Sequence, residues 1–335
     1  MPAMNHQICL AARPQGWITP GCWRHVAAPV QQPADGQFAA RTRYISVDPA
    51  MRRWLDDRRS YSAPIGIGEV MRAQTVVEVT ESDHPEFQPG DHVVGYFGVQ
   101  DYVVSNGEGA RKIDPDLAAS SVFLGALGLS GMTAYFGLLD VGALREGETV
   151  VVSAAAGAVG SMVGQIAKLK GARVIGIAGG RQKCTLVTNE LGFDDAVDYR
   201  AEDVSEALRA RVPDGIDLYF DNVGGEILDA AVACLALRAR VVVCGAISQY
   251  NNDIPVRGPS NYLSLLVCRA RMEGFVVTDY AARFAEAAAE IAGWINNGQI
   301  TVREHIVKGT VEDFPETLQM LFRGDKVGKL VLELM

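Results

Sequence analysis

The sequence predicts an α/β protein of two domains: a doubly wound parallel sheet preceded by a β-rich domain. Three observations carry this. Residues 149–183 read TVVVSAAAGAVGSMVGQIAKLKGARVIGIAGGRQK, which is a strand, a small-residue turn, a helix and a second strand in order. Strand-like apolar runs and helical stretches then alternate as far as Val277. Ahead of them, the first third of the chain shows strand-forming segments broken by Pro and Gly, without intervening long helices. At 335 residues the chain also exceeds what one core usually supports.

Each element follows from local chemistry. Residues 68–82 (GEVMRAQTVVEVTES) are rich in strand formers, residues 84–94 (HPEFQPGDHVV) carry turn residues, and 102–104 predict a further strand. This part reads as a barrel or sandwich. Residues 130–140 (SGMTAYFGLLD) predict a helix. Sheet strands are expected at 149–152, 173–178, 196–199, 216–220, 240–244 and 272–277, with a helix over 225–237. In the first βαβ unit, Val159, Met162, Val163, Ile166 and Ala167 recur at helical spacing, and Gly171 ends the helix. Asp279 is expected to cap a long amphipathic helix that presents Ala281, Phe284, Ala288, Ile291 and Ile295 on one face and stops at Asn297 and Gly298. Short strands at 299–305 and 330–334 around a helix at 315–322 have no place in the parallel sheet, so the tail is expected to rejoin the first domain. The boundaries are then 1–125, 126–297 and 298–335.

The chemistry starts at the first turn. Gly157 and Gly160 open a helix directly after a buried strand, where free backbone N–H groups and the helix dipole favour a pyrophosphate. An NAD site usually has an acidic side chain at the end of the second strand to hold the ribose hydroxyl. Here that strand runs into Gly179 and Gly180, then Arg181 and Lys183. Two cations and no carboxylate suit a 2′-phosphate, so the reading is NADP(H).

Composition bounds the rest. Hydrophobic content of 48% and charged content of 21% are ordinary for a globular enzyme. A net charge of −9 argues against nucleic acid or an anionic membrane as partner. No basic-plus-apolar leader and no membrane-length apolar run is visible, so a cytoplasmic protein is expected. The six cysteines form no Cys-x-x-Cys pair and the five histidines no ligand spacing, so no metal is expected.

Motifs along nearly the whole chain support a family reading: SVDPAMR (46–52), GDHVVGY (90–96), GMTAY (131–135), AAAGAVGSMVGQIAKLKG (154–171), FDNVGGE (220–226), CGAISQYN (244–251), MEGFVV (272–277) and GKLV (328–331). Together they resemble the medium-chain dehydrogenase/reductase superfamily, in the zinc-independent branch of prostaglandin/leukotriene reductases, alkenal double-bond reductases and bacterial curcumin reductases. ISQYNN (247–252) and RRSY (58–61) point to the curcumin reductases within it.

The resemblance implies a GroES-like barrel and a Rossmann-type domain with the substrate in the cleft between them. It implies a homodimer and NADPH-dependent reduction of the C=C bond of α,β-unsaturated ketones and aldehydes. Carried over by position, Gly157, Ala158, Val159 and Gly160 would hold the pyrophosphate, and Lys183 and Tyr199 the 2′-phosphate and its ribose. Asn222 would lie near the cofactor. Cys244, Gly245, Ala246, Ile247, Ser248 and Tyr250, with Phe275, Val276 and Val277, would line the nicotinamide end, and Met132 and Thr133 would flank it. Lys326 stands where some relatives carry an asparagine at the cofactor. The Gly-His-Glu motif and four-cysteine lobe of zinc-dependent relatives are missing from the sequence. An enone accepts hydride at its β-carbon without a metal if the enolate oxygen is stabilised. Tyr250 is the candidate for that task, with Tyr61 second. Asp221, at a strand end, reads as a helix cap. The alternatives are a quinone reductase on the same scaffold and a non-catalytic NADPH-binding protein.

Overall fold

A computed structural model describes residues 3–256 and 258–335. The chain divides into two compact units: Met1–Gly125 with Glu304–Lys326 and Leu330–Met335, and Ala126–Arg303 with Val327–Lys329. The return to the first unit thus begins at Glu304, six residues later than the expected boundary.

The first unit is built on antiparallel pairing. Strands β1 (Met4–Leu10) and β2 (Trp23–Pro29) form a two-stranded ribbon. After β3 (Phe38–Ser46) come a short helix α1 (Ala50–Trp54), then β4 (Thr75–Ser82), β5 (His92–Gly95), β6 (Tyr102–Ser105) and β7 (Arg111–Ile113). The predicted strand over 68–82 therefore starts only at Thr75, because residues 68–71 serve the ribbon instead: Leu10 N–H donates to Glu69 O and Met71 N–H to Ile8 O.

The second unit opens on α2 (Leu129–Phe136), which passes into a wider turn at Gly137–Val141. Its sheet and helices follow as β8 (Thr149–Ser153), α3 (Ala158–Leu169), β9 (Arg173–Ala178), α4 (Arg181–Asn189), β10 (Asp195–Asp198) and α5 (Val204–Arg211). Then come β11 (Ile216–Asp221), α6 (Gly225–Val232), β12 (Leu235–Val243), α7 (Leu263–Cys268), β13 (Arg271–Gly274) and α8 (Phe284–Asn296). All six strands are parallel, in the order β10-β9-β8-β11-β12-β13. This is the doubly wound order that reverses between its first and fourth strands, at β8 and β11. Met162, Val163, Ile166 and Ala167 of α3 are all buried, as the spacing predicts. Burying the three larger ones stabilises by about 1.5–3 kcal/mol each.

The chain then returns to the first unit through β14 (Glu304–Gly309), α9 (Phe314–Arg323) and β15 (Lys329–Leu334). There β15 pairs with β3, completing a seven-stranded sheet, while Phe314, Leu318 and Leu321 of α9 enter the core built by Ile8, Leu10, Met51 and Leu55.

Four further elements differ from expectation. The helix predicted over 225–237 ends at Val232, because Leu235 already pairs with Ile216 in the sheet. The last parallel strand stops at Gly274, and the Phe275 ring packs on Gly137 instead. Asp279 does not cap α8: Val277–Arg283 is a tight 3₁₀ turn, and α8 starts at Phe284 without a side-chain cap. The strand placed at 299–305 begins only at Glu304, since Gln299 and Ile300 N–H groups donate back to Trp294 O.

Candidate active site

The second unit gathers its candidate residues at the carboxyl ends of β8, β9, β11 and β12, where open parallel sheets place ligands. At the end of β8, Ala154 takes a left-handed φ of 50°, and the chain turns at once into α3, with Gly157 as N-cap. The turn is so tight that a Cβ on Gly160 would stand 2.3 Å from the Ala154 carbonyl oxygen. Gly157 is bridged to Gly328, whose N–H donates to Ala156 O at 2.7 Å. Ala158 and Val159 form the first turn of α3, whose outward N–H groups and dipole end make an anion cradle.

The end of β9 is built otherwise. Gly180 is the N-cap of α4, with φ 94° and ψ 145°, so Arg181 and Lys183 stand in the first helical turn rather than in an irregular loop. The Tyr199 hydroxyl lies so close to Gly179 that a Cβ there would meet it at 2.6 Å. Arg181 and the neighbouring Arg200 are exposed, and Tyr199 is 43% exposed. Carboxylates do stand near: Asp198 Oδ1 accepts the N–H groups of Gly180 (2.7 Å) and Arg200 (3.0 Å), and Glu202 Oε1 accepts the Asp198 N–H (2.9 Å). They shape the turn. Arg200, next to Tyr199 at the strand end, is a further cation at this turn that the sequence reading did not single out.

At the reversal of strand order, β8 and β11 are tied together. Asn222 donates from its backbone N–H to Ser153 Oγ and from Nδ2 to Ser153 O, both at 2.8 Å. Asp221 is 1% exposed; its carboxylate accepts from Tyr219 Oη, Ser153 Oγ, and the N–H groups of Val223 and Gly224. Burial holds this carboxyl above the usual range against those bonds. Asp221 is thus a loop anchor, not the helix cap expected: Gly224 is the N-cap of α6. The Asp221 carbonyl also accepts from Cys244 N and Gly245 N. Asn222 and Val223 carbonyls accept from Ile247 N and Ser248 N at 3.2 Å. One buried carboxylate therefore sets the 222–224 loop, and that loop seats the 244–250 loop against it.

Within the second loop the Tyr250 hydroxyl accepts the Ala246 N–H at 3.1 Å. Burial, then the Asp221 charge, pushes the Cys244 thiol up to about 12, so it is a thiol and not a thiolate at neutral pH. Met132 is 2% exposed, and Thr133 donates its hydroxyl to Leu129 O at 2.7 Å. Phe275, Val276 and Val277 are half-buried where β13 gives way to the 3₁₀ turn. Tyr61 and Lys326 belong to the first unit, where Tyr61 is 64% exposed. The tight cradle at Gly160 and the cations beyond Gly180 fit the pyrophosphate and the 2′-phosphate of NADP(H).

Two family models match: "N-terminal domain of oxidoreductase" over residues 6–113 and "Zinc-binding dehydrogenase" over 158–293. Within 158–293 the cysteines stand apart, Cys184 Sγ at Ala178 O and Cys268 Sγ at Leu235 O, and no three potential ligands converge among the described residues. The chain is 44% identical to the NADPH-dependent curcumin reductase of Escherichia coli (strain K12), covering 98% of this chain and 96% of that protein. It is 41% identical to the NADP(+)-dependent 2-alkenal reductase of Nicotiana tabacum, over 86% and 84%. The crystal structure of CurA in complex with NADPH from Vibrio vulnificus superposes with a TM-score of 0.94 at 44% identity, covering 98% and 99%. The chain belongs to the medium-chain dehydrogenase/reductase family, in its branch of NADP-dependent curcumin, prostaglandin and 2-alkenal reductases.

Proposed function

We propose that this protein reduces the C=C bond of conjugated enones and enals with NADPH, without a metal. The observation that carries the reading is the loop pair fixed by Asp221, which holds the Tyr250 loop at the carboxyl end of the same parallel sheet that carries the two phosphate-fitting turns. Bound NADPH supplies a hydride for the β-carbon of the substrate. The chain's own groups do the rest. Gly157, Ala158, Val159 and Gly160 grip the pyrophosphate through backbone N–H groups. Arg181, Lys183, Tyr199 and Arg200 hold the 2′-phosphate. Met132, Thr133, Asn222, residues 244–248 and Phe275, Val276 and Val277 position the nicotinamide end, and Lys326 is a further candidate for the cofactor.

Negative charge then develops on the substrate carbonyl oxygen, and Tyr250 donates a hydrogen bond to it; the enolate then takes a proton at its α-carbon, from the Tyr250 hydroxyl or from water, which gives the saturated ketone or aldehyde. The Ala246 N–H that the phenol oxygen accepts polarises its O–H and strengthens it as a donor. Tyr61 is the second candidate. In this reading residues 1–125 and 298–335 form the substrate domain and 126–297 the cofactor domain. The enzyme is a cytosolic homodimer with a small-molecule substrate and no nucleic-acid or membrane partner. In support of assembly, β13 is an edge strand, and Leu263, Leu266 and Val267 of α7 are 58%, 76% and 71% exposed.

The test is NADPH oxidation with a linear enone, a cyclic enone, an enal and a quinone, before and after prolonged chelation, with product analysis. A saturated ketone or aldehyde formed at undiminished rate after chelation is expected. Turnover of the quinone alone, or zinc-dependent turnover, overturns the reading.

A further inference from the structure

A group of side chains in the first unit has no part in this chemistry. His6 lies on β1 and His25 on β2, and the register pairs His6 with Ala27 and Ile8 with His25. The two histidines are therefore diagonal neighbours on one face of the ribbon. Their rings are parallel within 6°, and His6 Nδ1 is 3.0 Å from His25 Nε2. The same His25 nitrogen faces Glu312 Oε1 at 3.4 Å. Glu312 is offered by a short turn, Val311–Asp313, which a reciprocal Thr310–Asp313 capping box holds rigid. The three ligand atoms lie within 4.8 Å of one another, on side chains open to solvent.

Such a convergence is more than a hydrogen-bonded pair needs. Two ligand atoms on one tetrahedral zinc, each at 2.0–2.1 Å, stand about 3.3 Å apart. The His25–Glu312 separation already matches, and the His6–His25 separation has to open by only a few tenths of an ångström. The local field is mixed. Asp101 adds negative charge, its Oδ2 accepting the His6 N–H at 3.4 Å, while Arg41 lines the same 330 Å³ cavity beside His6 and Glu312. Two imidazoles and one carboxylate suit Zn²⁺, with water completing its shell.

We propose that His6, His25 and Glu312 form a Zn²⁺ site that clips the N-terminal ribbon to the C-terminal return of the chain. The site lies outside residues 158–293, to which the zinc-named family model applies, and it is independent of the reduction reaction. It joins segments about 300 residues apart in sequence, so a bound ion resists opening of a long loop.

Isothermal titration of the full-length protein with Zn²⁺ alone tests this. One site per chain with micromolar affinity is expected. His25→Gln and Glu312→Gln should each weaken it at least tenfold. Saturating Zn²⁺ should raise the thermal midpoint by a few degrees in the parent and not in His25→Gln. Glu312 is an exposed turn residue, so its variant keeps the test valid if a histidine variant folds poorly. Absence of saturable binding, or equal affinity in parent and variants, overturns the site. Rates of NADPH oxidation read on the same samples should not change with Zn²⁺ or with either substitution.

Discussion

Two strand-to-helix turns of the parallel sheet, after β8 and after β9, use glycine for opposite ends. At the first, Gly160 lets backbone approach backbone, with a Cβ position 2.3 Å from the Ala154 oxygen. At the second, Gly180 has nothing within 4 Å of its Cβ position but a φ of 94°. The first turn is closed and offers only backbone N–H groups. The second is open and offers side chains: Arg181, Lys183, Tyr199 and Arg200. A closed backbone turn recognises any pyrophosphate, whereas an open turn with cations discriminates one cofactor from another. On the proposed function, affinity and selectivity would sit in different turns of one sheet.

The sharpest way to break this contrast is Gly160→Ala. The new methyl meets a backbone carbonyl that cannot move without shifting β8, so the cost is about 3 kcal/mol or more. NADPH and NADH affinity should both fall by at least a hundredfold, read by fluorescence titration. Retention of either within twofold would show that the turn can open. Next comes the pair Arg181→Ala and Lys183→Ala. Arg181 is exposed and Lys183 half-buried, which weakens the contacts, so the expected loss is about ten- to a hundredfold for NADPH, with NADH changed by less than threefold. Equal losses for both cofactors would move selectivity elsewhere, to Arg200 and Tyr199.

Gly180→Ala isolates conformation from crowding. With open space but a backbone region reserved for glycine, it should lower stability by about 1–3 kcal/mol and leave the NADPH-to-NADH ratio intact. Thermal denaturation and paired titrations check it, and a changed ratio would mean that the turn itself reads the phosphate. The smallest effect is expected for Tyr250→Phe. Loss of one oxyanion donor can cost about a hundredfold or more, but the nicotinamide ribose hydroxyl and water compensate in part. About tenfold is expected in single-turnover NADPH oxidation, with cofactor affinity unchanged. If only substrate affinity changes, Tyr250 serves its own loop through the Ala246 N–H, and Tyr61 becomes the leading donor.

The comparison also shows how legible the molecule was. The βαβ unit was readable because strand, turn and helix there are contiguous and their periods differ, so Arg173–Ala178 has the expected limits. The ends of the later elements were less so. Leu235 reads as helix by local pattern yet belongs to β12, because pairing with Ile216 outweighs propensity. Phe275 reads as strand yet leaves the sheet, because a glycine on another element gives its ring a seat.

The amino-acid order by itself determined the parallel sheet, the two glycine turns and the cations beyond the second, since each depends on residues within one short segment. Only the tertiary structure decided what Asp221 does. Its carboxylate accepts from Ser153 on β8 as well as from its own 219–224 stretch, and it orders the 244–250 loop through the 222–224 loop. The same holds for His6, His25 and Glu312. No spacing relates residues 6, 25 and 312, and their meeting depends on strand register and on a chain end that folds back. Local chemistry is written in neighbours, whereas convergence of distant groups is set by packing, which brings residues together without regard to their distance in sequence.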